Sequence, residues 1–329
     1  MLKTYPILVG GEPILRQNKT AQKELSMIHT INNKLQSLSV ARFSSLAFSL
    51  LLLQGGYAQA DTDLTSLQWI HGAQDCETAR TEPGYVQWQE VRYQSNTIIF
   101  RQNKCSNYEA PFVYLFIGAQ RSLLIDTGAT EEGGAGLLAA VREITDLPLI
   151  VAHSHGHGDH TKGDSAFAGQ DDTIVVGRGA DAVKAFFGFE NWPQEQAELE
   201  LGDRTISLLP IPGHTDDDLA YYDPVSQFAV TGDTVYPGRL YVRNWSSYRA
   251  SIARLKSWIQ EKPVSHVLGT HIEMTADANV DYPIGTTYQP DERPLPLAPS
   301  DILKLHETLM SLEEPERTYL GSFIIWPVD

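Results

Sequence analysis

Residues 153–160 read HSHGHGDH, four histidines and an aspartate within eight positions, separated only by serine and glycine. No other stretch of the chain restricts its fold as much. His155, His157, Asp159 and His160 fit the pattern H-x-H-x-D-H, in which one turn aims two imidazoles at one cation and a carboxylate with a third imidazole at a neighbouring one. Gly156 and Gly158 relieve the steric cost of so tight a path. The turn directly follows LPLIVA, a short apolar run that reads as a buried strand, so the cluster stands where the chain leaves the core. His153 falls outside the register and reads as the end of that strand.

The flanking sequence alternates strands with a smaller number of helices. YVQWQEVRY, NTIIFRQ, FVYLFIG and SLLIDTG predict four successive strands, an opening β-meander, and helical spacing over 132–145 predicts the first long helix. The second half repeats this logic with strands at DTIVVG, RTISLLPIPG, LAYYD, QFAVTGD and SHVLG and helices at GADAVKAFFG and SSYRASIARLKSWIQ. A proline-rich polar stretch, DYPIGTTYQPDERPLPLAPS, reads as a surface excursion. A last helix over 301–314, with Ser300 as its N-cap, and a last strand in TYLGSFIIW complete the chain. Two sheets packed face to face with helices outside satisfy both kinds of pattern.

The N-terminus reads differently. Lys34 and Arg42 precede an apolar run from Phe43 to Leu53, and Ala58-Gln59-Ala60 follows, which is the layout of a secretory signal peptide cleaved near Ala60. Met27 stands at a usual distance ahead of it and is an alternative start. The apolar run is too short to span a bilayer and no cysteine follows it for lipid attachment, so stable membrane insertion of the mature chain is not expected. The expected organisation is an extension plus signal over 1–60 and one catalytic domain over 61–329, in the periplasm or secreted. Residues 1–60 hold six of the 25 Lys and Arg and two of the 41 Asp and Glu, so the exported chain carries about −20. Such a field disfavours nucleic acid and points to a small-molecule substrate. Cys76 and Cys105, the two cysteines of the chain, are expected to pair in an oxidising compartment.

Three later residues extend the cluster: His214 in IPGHTDD, Asp233 in VTGDTVY and His271 in VLGTHIE, each just after an apolar strand pattern and a small-residue turn. From LLIDTG to His271 the ordered motifs resemble the metallo-β-lactamase superfamily of hydrolases. The resemblance implies an α+β fold, an αββα sandwich of two mixed β-sheets flanked by helices. It also implies that His155, His157 and His214 bind one metal ion, that Asp159, His160 and His271 bind a second, and that Asp233 bridges the two. Asp126 matches an aspartate that supports such a site without ligating; a turn-forming role before Thr-Gly is the competing reading. His266 begins its strand and reads as packed, and His71 and His306 lie outside every motif.

Imidazole and carboxylate without thiolate suit two divalent ions, Zn2+ first and Mn2+ or Fe2+ next. The implied chemistry is attack of a metal-bound hydroxide on a carbonyl, with Asp159 accepting or orienting the proton. Aspartate at 233, where true β-lactamases of the superfamily generally carry cysteine or serine, resembles the glyoxalase II-type thioesterases and the lactonases. It therefore points to an ester, lactone or thioester rather than a β-lactam. Tyr236 matches a lactonase tyrosine near the substrate carbonyl and is expected to donate to the oxyanion. Arg239 or Arg243 is a candidate for a substrate carboxylate, against an exposed strand arginine. Asp216 to Asp218 read as a solvated loop. Only 58 residues follow His271, too few for a dedicated glutathione-binding domain. The alternatives are a β-lactamase and a mononuclear iron enzyme resembling the persulfide dioxygenases.

Overall fold

Residues 98–101, 112–116 and 123–125 are buried on both sides of the chain, and their alternation shows why. Ile99, Phe112, Tyr114, Phe116, Leu123 and Ile125 join one apolar cluster, while Ile98, Phe100, Val113, Leu115 and Leu124 join another on the opposite side. Each strand therefore has two covered faces and reads as a continuous apolar run. The computed structural model describes residues 62–328; the expected signal segment and the alternative start at Met27 lie outside them.

The first sheet runs β1 (Trp88–Gln94), β2 (Thr97–Gln102), β3 (Phe112–Ile117), β4 (Ser122–Ile125), β5 (Leu149–Ala152) and β6 (Thr173–Val175) in spatial order. Its first four strands pair antiparallel, and β4, β5 and β6 pair parallel. The second sheet has the order β12 (His266–Gly269), β10 (Phe228–Gly232), β9 (Leu219–Asp223), β8 (Thr205–Pro210) and β7 (Ala197–Glu200), with β10 and β12 parallel and the others antiparallel. Both sheets are mixed.

Their inner faces meet in one core, where Tyr114, Phe116 and Ile150 of the first sheet pack with Leu208, Tyr221, Phe228 and Val230 of the second. The outer face of the first sheet is covered by Leu137 and Val141 of α2 (Glu131–Ile144) and Phe167 of α4 (Asp164–Phe167). The outer face of the second is covered by Ile252, Leu255 and Trp258 of α6 (Trp245–Gln260) and Ile302, Leu305 and Leu309 of α7 (Pro299–Ser311). The fold is thus an αββα sandwich. The short helices α1 (Cys76–Ala79), α3 (Gly158–Thr161) and α5 (Ala180–Phe187) lie in connections.

Two elements escape the periodicity. β7, whose sequence AELE is half charged, pairs with β8, and Ala197 and Leu199 pack on the inner core. β11 (Arg239–Val242) joins β13 (Thr318–Tyr319) and β14 (Ile324–Pro327) in a small third sheet. One cap also differs. Ser300 lies inside α7, whose N-cap is Ala298; Pro299 fills the first turn, and Asp301 Oδ2 accepts from the Ala298 N–H at 2.8 Å, so a carboxylate inside the helix does the work expected of the serine. Cys76 and Cys105 form a disulfide, with their Cα atoms 4.9 Å apart.

Parallel neighbours end at the same edge. Asp126 follows β4, the histidine turn follows β5, Asp233 follows β10, and Thr270 and His271 follow β12, so both sheets deliver their polar residues to a common rim.

Candidate metal centre

The ligand atoms converge in two sets. In the first, His155 Nε2 lies 2.9 Å from His157 Nδ1, and His214 Nε2 lies 3.0 Å from the same atom. Asp233 Oδ2 stands 3.8 Å from His155 Nε2 and 3.7 Å from His214 Nε2. In the second, His160 Nε2 is 3.1 Å from Asp159 Oδ2 and 3.2 Å from His271 Nε2, while His271 Nε2 is 3.3 Å from both Asp159 Oδ2 and Asp233 Oδ1. Asp233 gives one oxygen to each set. Four donors about 2.0–2.1 Å from a tetrahedral ion stand roughly 3.3 Å apart, the spacing found in both sets.

The outward-facing ring nitrogens explain why these donors point inward. His214 Nδ1 donates to Tyr241 O and His271 Nδ1 to Glu109 O, each at 2.9 Å. A carbonyl only accepts, so both rings carry a proton on Nδ1 and turn Nε2 inward, where the neutral form of each ring presents a lone pair. His160 Nδ1 lies 2.9 Å from Asp126 Oδ2. The Ser154 hydroxyl donates to that same carboxylate oxygen at 2.8 Å, leaving its own oxygen to accept from His155 Nδ1 at 3.2 Å. His155 Nε2 and His214 Nε2 thus both bring lone pairs to His157 Nδ1, where a single proton serves only one of them well. A cation at the centre serves all three, and the donor set fits a divalent metal.

Electrostatics point the same way. Burial pushes His214 down to about 4 and, together with the neighbouring His160, holds His155 well below the ordinary histidine value, so the first set stays neutral and ready to ligate. Burial also opposes charge on His271, but Asp233 and Asp159 outweigh it and push this ring up to about 9; His160 is raised for the same reason. The second set therefore draws positive charge, which in the absence of metal is a proton. Asp159 is the most open carboxylate here, its side chain 23% exposed against 9% for Asp233. His157 and His214 line an open cleft whose walls include Asp216 and Arg243.

All seven residues expected to hold metal meet at the rim. Asp126 proves to be a positioning residue rather than a simple turn former: it takes φ +72° and accepts from the Ser154 N–H at 2.7 Å as well as from Ser154 Oγ and His160. His266 is packed against Tyr93 and Phe228. His153 is buried, with Nε2 3.4 Å from Asp164 Oδ2.

Three expectations need correction. Tyr236 is 1% exposed and its hydroxyl donates to Arg239 O at 2.5 Å, with Glu273 Oε2 at 3.1 Å, so it is committed elsewhere and does not reach the cleft as an oxyanion donor. Arg239 is neither free nor exposed: it is buried and ion-paired to Glu273 at 3.0 Å and Asp281 at 2.7 Å. Of the acidic triplet only Asp216 is exposed. Asp217 accepts from the Gly156 and Gly179 N–H groups and from Thr215 Oγ1, and Asp218 accepts from the His214 and Thr215 N–H groups, so these two carboxylates clamp the loops that carry His157 and His214. Ser154, Thr270, whose hydroxyl donates to Asp233 Oδ1 at 2.5 Å, and the carbonyls of Glu109 and Tyr241 were not foreseen. Carbonyls carry no side-chain signal, but Ser154 and Thr270 each precede a ligand histidine.

A family model described as the metallo-beta-lactamase superfamily matches residues 108–273, half of the chain and all seven donors. A hydroxyacylglutathione hydrolase of Mesorhizobium japonicum is 32% identical over 110 residues, covering 32% of this chain and 43% of that protein. An acyl-coenzyme A thioesterase of Gallus gallus is 26% identical over 200 residues, covering 49% of this chain and 72% of that protein. The chain thus spans less than half the length of the first of these relatives. Among solved structures, a metallo-beta-lactamase from Pontibacter korlensis superposes with a TM-score of 0.49 at 16% identity, covering 69% of this chain and all of that one.

Proposed function

The chain belongs to the metallo-β-lactamase superfamily, and from that premise we propose that it is an exported hydrolase with two metal ions that opens the carbonyl of an ester, thioester or lactone. The observation that carries this reading is Asp233, whose two oxygens face two separate sets of donors. A cysteine or serine in its place offers one ligand atom and favours one ion over the other.

His155, His157 and His214 with Asp233 Oδ2 would hold one ion, and Asp159, His160 and His271 with Asp233 Oδ1 the other. Such a pair supplies Lewis acidity to the substrate carbonyl and lowers the pKa of a water toward neutrality. Asp159, the more exposed of the two donor carboxylates, would orient that water by accepting a hydrogen bond from it. Asp126 and Ser154 keep His160 and His155 turned inward, and Glu109 and Tyr241 do the same for His271 and His214. The Cys76–Cys105 disulfide supports export to an oxidising compartment. Both curated relatives reported above are named for release of an acyl group, which favours thioesters within the range.

The test is a substrate panel on metal-loaded protein: acyl thioesters, lactones, simple esters and β-lactams. The reading predicts kcat/KM for at least one of the first three at least about 100-fold above that for any β-lactam. A β-lactam as the best substrate would overturn it.

A further inference from the structure

Glu109, whose carbonyl accepts from His271 Nδ1 at 2.9 Å, lies in the loop 103–111 that joins β2 to β3. The next residue, Ala110, is fully buried and takes φ +45°. L residues other than Asn, Asp and His rarely adopt this left-handed conformation, and it persists only where the surroundings enforce it. The peptide that orients His271 is therefore set in a backbone arrangement that alanine does not favour by itself.

The bonds that enforce it run outward from Asn107. The Glu109 N–H donates to Asn107 Oδ1 at 3.0 Å, the Ala110 N–H to Asn107 O at 3.1 Å, and the Asn107 N–H to Asn103 O at 3.3 Å. At the β3 end the loop is fixed, because the Phe112 N–H donates to Thr270 O at 2.8 Å. The β2 end is covered by the segment that begins with α1. Asn103 donates from its N–H to Gln87 O and from Nδ2 to Val86 O, Arg80 Nη1 donates to Cys105 O, and the Tyr85 and Ser106 hydroxyls share a hydrogen bond.

That covering segment has no core of its own, since none of residues 74–87 is buried. Exposed hydrogen bonds of this kind open locally at little cost. The Cys76–Cys105 disulfide is the covalent link that keeps the segment on the loop, and it enters the loop at a cysteine only 4% exposed. Without it, opening of 76–87 loosens the loop at Asn103, Cys105 and Ser106 together, and Ala110 is free to leave its left-handed conformation and carry the Glu109 carbonyl away from His271. His214 is held differently. Its Nδ1 donates to Tyr241 O on β11, a strand paired with β14 and not part of this loop.

We propose that Cys76, Cys105 and Ala110 are positioning residues for His271, so that the disulfide sets the affinity of the second donor set for its ion and leaves the first set alone. The reduced chain then holds one ion well and the oxidised chain two. The proposal rests on the two-ion reading above.

The test titrates zinc, with chelator competition, into metal-free untagged wild type, into Cys76→Ala/Cys105→Ala and into that variant carrying Ala110→Gly. The cysteine-free protein should bind its first ion within about threefold of wild type and its second about 10–100-fold more weakly, the range for losing a group that orients a ligand histidine. Glycine takes the left-handed conformation without steric cost, so Ala110→Gly should restore about fivefold or more of the second affinity, a rescue that a merely structural disulfide does not predict. Asn107→Ala keeps the disulfide, removes the acceptor of the Glu109 N–H and should weaken the second ion alone, so it carries the test if the cysteine-free chain does not fold. Two ions bound as in wild type, both weakened alike, or no gain from Ala110→Gly would overturn the proposal. A wild type that binds a single ion sinks the two-ion reading instead, and the Nδ1–H signal of His271 in the NMR spectrum of nitrogen-labelled metal-free protein then decides. A signal seen in wild type, lost in the cysteine-free protein and regained with Ala110→Gly keeps the positioning role; one that is present in all three, or absent from wild type, sinks it.

Discussion

Asp126 shows how much of the site depends on residues that touch no metal. One carboxylate takes hydrogen bonds from the Ser154 N–H, the Ser154 hydroxyl and His160 Nδ1, and so sets the orientation of one ring directly and of His155 through Ser154. Asp126→Asn keeps a side chain that tolerates φ +72° and removes the charge and one of the two acceptor oxygens. We expect it to weaken metal binding by about 10–100-fold, read by chelator competition, with little change in the thermal midpoint of the metal-free protein. Unchanged affinity would show that Asp126 is only a turn residue. The seven converging donors were legible because H-x-H-x-D-H is a local pattern and each later donor follows the end of a strand. Tyr236 and Arg239 were not, for one physical reason. The partner that claims both, Glu273, lies 37 and 34 residues further along the chain, and spacing near Asp233 does not reveal which way a buried hydroxyl or guanidinium turns.

At the level of elements, the site is a consequence of parallel pairing. β4 with β5 and β10 with β12 bring four loops to one rim, and the clamps of Asp217 and Asp218 hold the loop after β8 against them. Gly213 marks how tightly that loop is seated. It has φ +153°, and a Cβ there would stand 2.5 Å from Tyr248 Cα at the start of α6. Gly213→Ala must push His214 away from its set, and we expect about 1–3 kcal/mol of lost stability by urea denaturation together with loss of one bound ion per chain. Full occupancy in that variant would mean that the loop adapts without moving its histidine. Strands buried on both faces were easy to read, since β2 to β5 are near-continuous apolar runs. β7 was not, because its outer residues Glu198 and Glu200 are exposed, and β11 depends on β14, some 80 residues away, for its pairing.

For the whole molecule, the two donor sets make stability depend on pH in opposite directions when metal is removed. His214 is held down to about 4, whereas the unfolded chain takes up the same proton near 6.5, so between these values the unfolded state binds more protons and stability falls as pH falls. His271 keeps a proton up to about 9 that the unfolded chain releases near 6.5, so stability also falls as pH rises through that window. Metal-free protein should be most stable near pH 6.5, with slopes on the order of 1.4 kcal/mol per pH unit on each side, measured by urea midpoints from pH 4.5 to 9. Reloading should flatten the alkaline slope, because the ion takes the place of the proton; an alkaline slope that survives reloading would count against the second set as a metal site. The central claim is that these seven side chains hold two ions at once, and elemental mass spectrometry on untagged protein beginning at Asp61 tests it most directly. The account predicts close to two zinc or manganese ions per chain, falling together with activity in His157→Ala. A single iron per chain, or full activity in that variant, would contradict it.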